Sequence, residues 1–126
     1  MQTYLLAAGI VALLTGAVHS VLGEILIFHP LREGGLIPTR GGALLRERNV
    51  RILWASWHVV TVLGWGFAAI LLRLATTADQ SPLQPFVERV IVVSMLTSSF
   101  FVLVGTKGMH PGWIALLVVA VLTWLA

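Results

Sequence analysis

The sequence predicts an all-α integral membrane protein whose four transmembrane helices form an up-down bundle. Its 126 residues are the length of one domain. They are 58% apolar and only 10% charged, whereas soluble domains are roughly 45–50% apolar and about 25% charged. Pro, Gly and polar residues divide the apolar part into four segments, most of them near the ~20 residues that a helix needs to cross a bilayer. We therefore expect a single membrane domain, residues 1–126.

Each apolar segment is expected to be a helix, because every backbone group in lipid must be hydrogen-bonded within its own span. The predicted helices are about 4–28, 50–75, 86–106 and 112–126. Prolines and paired glycines in the connection 29–49 break the helix there. The fourth segment is the shortest, about 22 Å at ~1.5 Å per residue. If its end reaches the outer interface, the turn before it is drawn towards the membrane interior.

The distribution of Lys and Arg predicts the orientation of these helices. The first and third connections are flanked by Arg32, Arg40, Arg46, Arg48, Arg51 and Lys107, and the second by Arg73 and Arg89. Because cytoplasmic connections carry an excess of positive charge, the first and third connections should be cytoplasmic and both termini non-cytoplasmic. For a chain of bacterial appearance, this orientation indicates the inner membrane.

Several functional classes are excluded or disfavoured by composition. The absence of cysteine excludes disulfides, thiolate ligands and Cys nucleophiles. A pI near 10.7 is typical of nucleic-acid binders, but most of the basic residues lie in one connection, which indicates topology and no nucleic-acid partner. MQTY places no basic residue before the first apolar run, so a cleaved signal peptide is not expected. No nucleophilic triad or phosphate-binding loop is visible.

Two histidines at similar depth are the first candidate functional residues. His19 lies about nine residues, or ~13 Å, inside the cytoplasmic end of the first helix, and His58 lies ~10 Å inside the second. Two imidazoles on neighbouring helices can supply both axial ligands of a b-type haem. Gly16 and Gly23 would make room for the ring, and Arg51 would bind a propionate. These residues predict a haem site.

A metal-ion site in the cytoplasmic half is an alternative use of the same residues. His19, His58 and His110, with Glu24 as an oxygen donor, would supply ligands from three helices if the turn before the fourth helix lies inside the membrane. A divalent ion needs three or four such ligands at ~2.0–2.2 Å. Both interpretations share one claim, a buried histidine site that binds a metal ion or haem b.

A third interpretation is a small proton- or cation-coupled transporter that uses Glu24. A carboxylate one turn inside the membrane is costly and is therefore a functional candidate, and pairing with an arginine of the first connection is the structural alternative. An accessory subunit without a ligand, or an enzyme of unidentified reaction, also remains open. On the structural side, Trp54 and Trp57 are typical of an interfacial aromatic belt, and His19 could simply bond a neighbouring helix.

The expected partners are membrane lipids, and a second copy of the chain is a further candidate. Glycines at positions 9, 16 and 23 recur every seven residues on one face of the first helix, which favours close approach of another helix within or between subunits. The segment GGLIPTRGG, 34–42, is interpreted as a loop whose arginine attracts anionic lipid.

Overall fold

The computed structural model describes residues 2–77 and 82–126, and all of its regular elements are helical. The four principal helices are α1, Thr3–Gly23; α2, Glu47–Thr76; α3, Gln84–Gly105; and α4, Gly112–Trp124. The predicted all-α class is confirmed, and each predicted helix matches one of these elements with ends that differ by a few residues. The hydrophobic segments and the Pro- and Gly-rich connections were sufficient signals for this.

The first helix does not end at Gly23 but changes its winding. A π-helical turn, Glu24–Phe28, and a 3₁₀ turn, His29–Leu31, continue it. Proline has no N–H, so Pro30 cannot donate the α-type bond to the carbonyl four residues earlier. The N–H of His29 instead bonds to the carbonyl of Glu24, five residues back. The result is a widened turn that begins at the acidic residue, and such turns are frequent at functional sites.

Three of the helical segments are long and apolar enough to cross a membrane: Thr3–Leu31, Glu47–Thr76 and Gln84–Gly105. The fourth, Gly112–Trp124, is apolar but shorter; its 13 residues extend about 20 Å. Three of the four predicted spans therefore have the required length. The up-down order and the side on which the termini lie remain predictions.

The chain divides into two compact units, which we call the terminal unit and the central unit. The terminal unit comprises Met1–Thr15 and Gly64–Ala126, and the central unit is Gly16–Leu63. Helices α1 and α2 each contribute one part to both units, because the divisions fall within them.

The core of the terminal unit consists mainly of aliphatic side chains. Its fully buried side chains include Leu5, Leu71, Ile91 and Val119. Gly9 lies close to α2: a Cβ at that position would be 2.8 Å from Leu72 Cδ2. The glycine therefore permits the close helix approach that its position in the repeat predicted.

Candidate functional site

The central unit contains a polar network around Glu24, the first residue of the π-helical turn. One carboxylate oxygen forms an ion pair with the guanidinium of Arg32, which follows the 3₁₀ turn. The other oxygen accepts a hydrogen bond from the indole N–H of Trp54 at 3.2 Å and lies 3.5 Å from His58 Nε2. Pairing with an arginine of the first connection was the structural alternative for Glu24, and the structure shows such a pair with Arg32.

His58 links this carboxylate to two hydroxyl groups. Its Nδ1 lies 3.0 Å from Ser20 Oγ, and Ser20 Oγ lies 3.0 Å from Thr61 Oγ1. Ser20 and Glu24 are four residues apart and therefore lie on one face of the first helix, and His58 and Thr61 are three apart on α2. The four groups form a continuous row in the order Glu24, His58, Ser20, Thr61, which we call the Glu24–Thr61 row.

The side chains of the row differ in burial, so its two ends are shielded from solvent to different degrees. The side chains of Glu24 and His58 are 29% and 32% exposed, and Arg32 is 19% exposed. Thr61 is buried. The Nε of Arg32 is also buried and makes no hydrogen bond among the residues that the structure describes.

The row can transmit a proton because each of its members can accept and donate one. A neutral imidazole has one nitrogen that donates a hydrogen bond and one that accepts, and a hydroxyl group can do both. Thr61 can donate to the backbone carbonyl of Trp57, 3.4 Å away, with Ser20 then donating to Thr61. Rotation of both hydroxyls reverses the direction, so that Thr61 donates to Ser20 and Ser20 to His58 Nδ1. Two opposite arrangements of the same hydrogen bonds are what a proton relay requires.

His19 lies on a different part of the first helix and has a different partner. Its ring stacks on Trp57, with centroids 4.1 Å apart and planes 7° from parallel. The indole N–H of Trp57 donates to the backbone carbonyl of His19 at 3.0 Å. The structure therefore associates His19 with an indole ring and His58 with Ser20 and Glu24.

Gly23 makes the position of Trp57 possible. A Cβ on Gly23 would overlap the indole nitrogen and lie 2.8 Å from Trp57 Cζ2. The glycine repeat of the first helix therefore serves contacts within the chain at Gly9 and at Gly23. Trp54 and Trp57 were interpreted as belt residues, but both indole N–H groups donate to the first helix, so they hold α1 and α2 together within the central unit.

The two remaining predicted ligands lie in exposed positions. Arg51 donates from Nε to the carboxylate of Glu47 at 2.8 Å, one turn earlier on α2. His110, in the terminal unit, accepts the N–H of Gly112 on its Nδ1 at 3.0 Å, and its own backbone N–H donates to Thr106 at 3.3 Å. His110 thus satisfies an N–H at the start of α4, a role that its spacing before the glycine could have indicated.

Within residues 2–77 and 82–126, no group of three or more His, Asp or Glu side chains could hold a metal ion. The ion site proposed from His19, His58, His110 and Glu24 is therefore not assembled there. The sequence interpretation missed Ser20, Thr61 and Arg32 as members of the site. A signal for two of them was present, because Ser20 precedes Glu24 by four residues and Thr61 follows His58 by three.

Comparison with known proteins does not identify a relative. No protein-family model, curated protein or solved structure matches the chain.

Proposed function

We propose that this protein is a small proton-coupled membrane transporter in which Glu24 and His58 exchange the transported proton. The observation that carries this proposal is the Glu24–Thr61 row, a continuous line of a carboxylate, an imidazole and two hydroxyls on segments long and apolar enough to span a membrane. Ionisable groups at such positions are costly and usually mark ion or proton pathways.

The hydrogen-bond donors around Glu24 support a proton-binding role for it. Arg32 and the Trp54 indole can only donate, so both match the acceptor oxygens of the carboxylate. Nε2 of His58 faces that carboxylate and can bring it a proton. A proton that arrives at Glu24 weakens its attraction to Arg32, and one that leaves restores it. The acid therefore has a protonated and a paired state, which is the minimum that a coupled transporter needs.

The predicted topology gives the row a direction. With the first connection in the cytoplasm, Glu24 lies one turn from the cytoplasmic edge and Thr61 lies deeper. We propose that protons enter or leave on the cytoplasmic side, past Arg32, and that the deeper end opens during transport. This part of the proposal includes four membrane crossings, both termini outside the cytoplasm, and residence in a bacterial inner membrane.

The test is proton flux through purified protein in lipid vesicles that contain a pH-sensitive dye. After a gradient of H⁺, Na⁺ or K⁺ is imposed, the wild-type vesicles should change their internal pH faster than empty vesicles. Glu24→Gln should slow this change by about 100-fold, the loss typical of removing a positioned proton-transfer group. Glu47→Gln is the matched control, because that glutamate is exposed and its ion pair with Arg51 lies along α2.

Two further variants separate lost transport from lost folding. Ser20→Ala and Thr61→Val interrupt the row without altering any charge, and both should fold and yet transport slowly. Wild-type vesicles that behave like empty ones under all three gradients would overturn the proposal. So would unchanged flux in folded Ser20→Ala and Glu24→Gln protein.

The haem or metal-ion site predicted from the sequence is the competing proposal. Both ring nitrogens of His58 already face partners, at 3.0 Å and 3.5 Å, so ligation through His58 would displace Ser20 or Glu24. A Soret band in the purified protein that disappears in both His19→Ala and His58→Ala would favour the haem. Stoichiometric metal in a colourless preparation would favour the ion.

A further inference from the structure

The connection between the first two helices, together with the first turn of α2, carries the whole net charge of the protein. Residues 32–51 contain five arginines and two glutamates, a surplus of three positive charges. The chain as a whole has a net charge of +3, so its remaining charged residues cancel. A charge surplus confined to one short segment is a distinct interaction surface.

The backbone folds this connection back onto the end of the first helix. The N–H groups of Thr39 and Arg40 both donate to the carbonyl of Leu31, at 3.0 Å and 2.9 Å. The midpoint of the connection is thereby held beside the helix end, and Pro38 is buried next to it. Two lobes result, 32–38 and 41–46, which together we call the two-lobed loop.

Each lobe turns at a glycine and exposes a leucine. Gly34 and Gly42 have φ values of +85° and +65°, a backbone conformation that other residues rarely adopt. Two residues after each glycine stand Leu36, 74% exposed, and Leu44, 94% exposed. Burial of these exposed aliphatic side chains in an apolar environment, such as lipid acyl chains, would be favourable.

Two arginines of this surface lack an acidic partner in the part of the chain that the structure describes. Arg32, Arg40 and Arg51 form ion pairs with glutamates. Arg46 and Arg48 are exposed and take part in no ion pair among the described residues. They stand at the end of the second lobe and the start of α2, within a few residues of Leu44.

We propose that the two-lobed loop binds anionic phospholipid of the membrane that the helices span, with Leu36 and Leu44 among the acyl chains and Arg46 and Arg48 on the lipid phosphates. Both ends of the loop join segments long and apolar enough to cross a membrane, and its midpoint is bonded to one of those ends. The loop is therefore confined to the bilayer edge, where lipid supplies both the negative charge and the apolar cover. This inference does not depend on the transport proposal.

The test measures thermal unfolding of the detergent-solubilised full chain during titration with short-chain phosphatidylglycerol or, separately, phosphatidylcholine. Phosphatidylglycerol should raise the melting temperature at lower concentration than phosphatidylcholine. Each basic residue near a membrane surface contributes about fivefold to binding, so the Arg46→Gln/Arg48→Gln double variant should need about 25-fold more phosphatidylglycerol for half its effect. The Arg73→Gln/Arg89→Gln variant, which removes the same charge elsewhere, should respond like the wild type.

Two further measurements distinguish binding of the whole lipid from attraction of its headgroup charge alone. Leu36→Ser/Leu44→Ser should also weaken the phosphatidylglycerol effect, whereas glycerol phosphate, which has the headgroup charge but no acyl chains, should produce no shift in the wild type. Equal stabilisation by both lipids, equal loss in the two arginine double variants, or a full shift with glycerol phosphate would each overturn the proposal.

Discussion

The helices of the terminal unit and those of the central unit meet through different kinds of side chain. In the terminal unit the helices meet through aliphatic side chains such as Leu5, Leu71 and Ile91. In the central unit the first helix and α2 meet through a carboxylate, two imidazoles, two indoles and two hydroxyls. Two parts of the same two helices, separated only by their position along the chain, thus use different chemistry.

This difference indicates which of the two units contains the functional site. In the terminal unit, aliphatic packing is supplemented by hydrogen bonds such as that from Ser99 to the carbonyl of Trp113. A buried polar group costs free energy unless it is fully hydrogen-bonded, and a buried charge costs more. The central unit brings a carboxylate, a guanidinium and an imidazole together in one network, which stability alone explains poorly. The comparison therefore supports assigning function to the central unit and scaffolding to the terminal one.

The largest expected effect on stability comes from Glu24→Gln. The substitution leaves the guanidinium of Arg32, which is 19% exposed, without its carboxylate, and loss of one partner of a largely buried pair costs about 3 kcal/mol. Unfolding in mixed detergents measures this loss. Glu47→Gln, on an exposed pair, should change the unfolding free energy by less than about 0.5 kcal/mol. Equal losses in the two variants would contradict the assignment of Glu24 to a buried network.

Gly23→Ala should have the next largest effect. The added methyl group would overlap the indole of Trp57, which cannot shift without leaving the ring of His19, and overpacking of this kind costs about 2 kcal/mol. Gly9→Ala is the matched change in the terminal unit. There the methyl would meet mainly the flexible end of Leu72, so a loss of about 1 kcal/mol is expected. A larger loss for Gly9→Ala would mean that the central unit is the more adaptable of the two.

Ser99→Ala tests the same comparison by removing a buried hydroxyl group from the terminal unit. Ser99 is buried on α3, and its hydroxyl donates to the carbonyl of Trp113 on α4 at 2.7 Å. Its removal should cost about 1 kcal/mol and leave proton flux unchanged, whereas Ser20→Ala should reduce flux. Slower flux in folded Ser99→Ala protein would show that transport also depends on the terminal unit.

The smallest effect is expected from Arg51→Gln. The residue is half-exposed and forms an ion pair along the surface of α2, and such pairs contribute about 0.3 kcal/mol. Unfolding and flux should both remain close to wild type. A clear change in a visible absorption band on this substitution would instead support the propionate-binding role that the sequence analysis proposed for Arg51.

The fold was largely predictable, because the length and hydropathy of the segments determine where membrane helices can form. Glu24 and His58 were also identifiable, since ionisable residues are rare in such segments. Their pairing was not, because it depends on the rotation of α2 about its own axis. A histidine precedes Ser20 on the first helix, and an indole precedes His58 on α2. Several rotations of α2 about its axis would therefore bring an imidazole against a polar or aromatic partner. Only the three-dimensional structure distinguishes these arrangements.

The contribution of Arg32 was harder to predict, because five arginines cluster around the first connection. Its place beside Glu24 follows from the π-helical and 3₁₀ turns that separate the two residues. Likewise, the folding of the two-lobed loop depends on left-handed conformations at Gly34 and Gly42. Glycine permits such a conformation without requiring it, so the sequence alone did not define the loop.

The widened turn around Pro30 has a consequence for the contact between Glu24 and Arg32. Because proline lacks an amide hydrogen whatever the charge of nearby side chains, the turn is not expected to rewind when Glu24 gains or loses a proton. Arg32, which follows the 3₁₀ turn directly, then stays within reach of the carboxylate in both states. Contact between them can therefore break and re-form by side-chain rotation, without a change in the backbone.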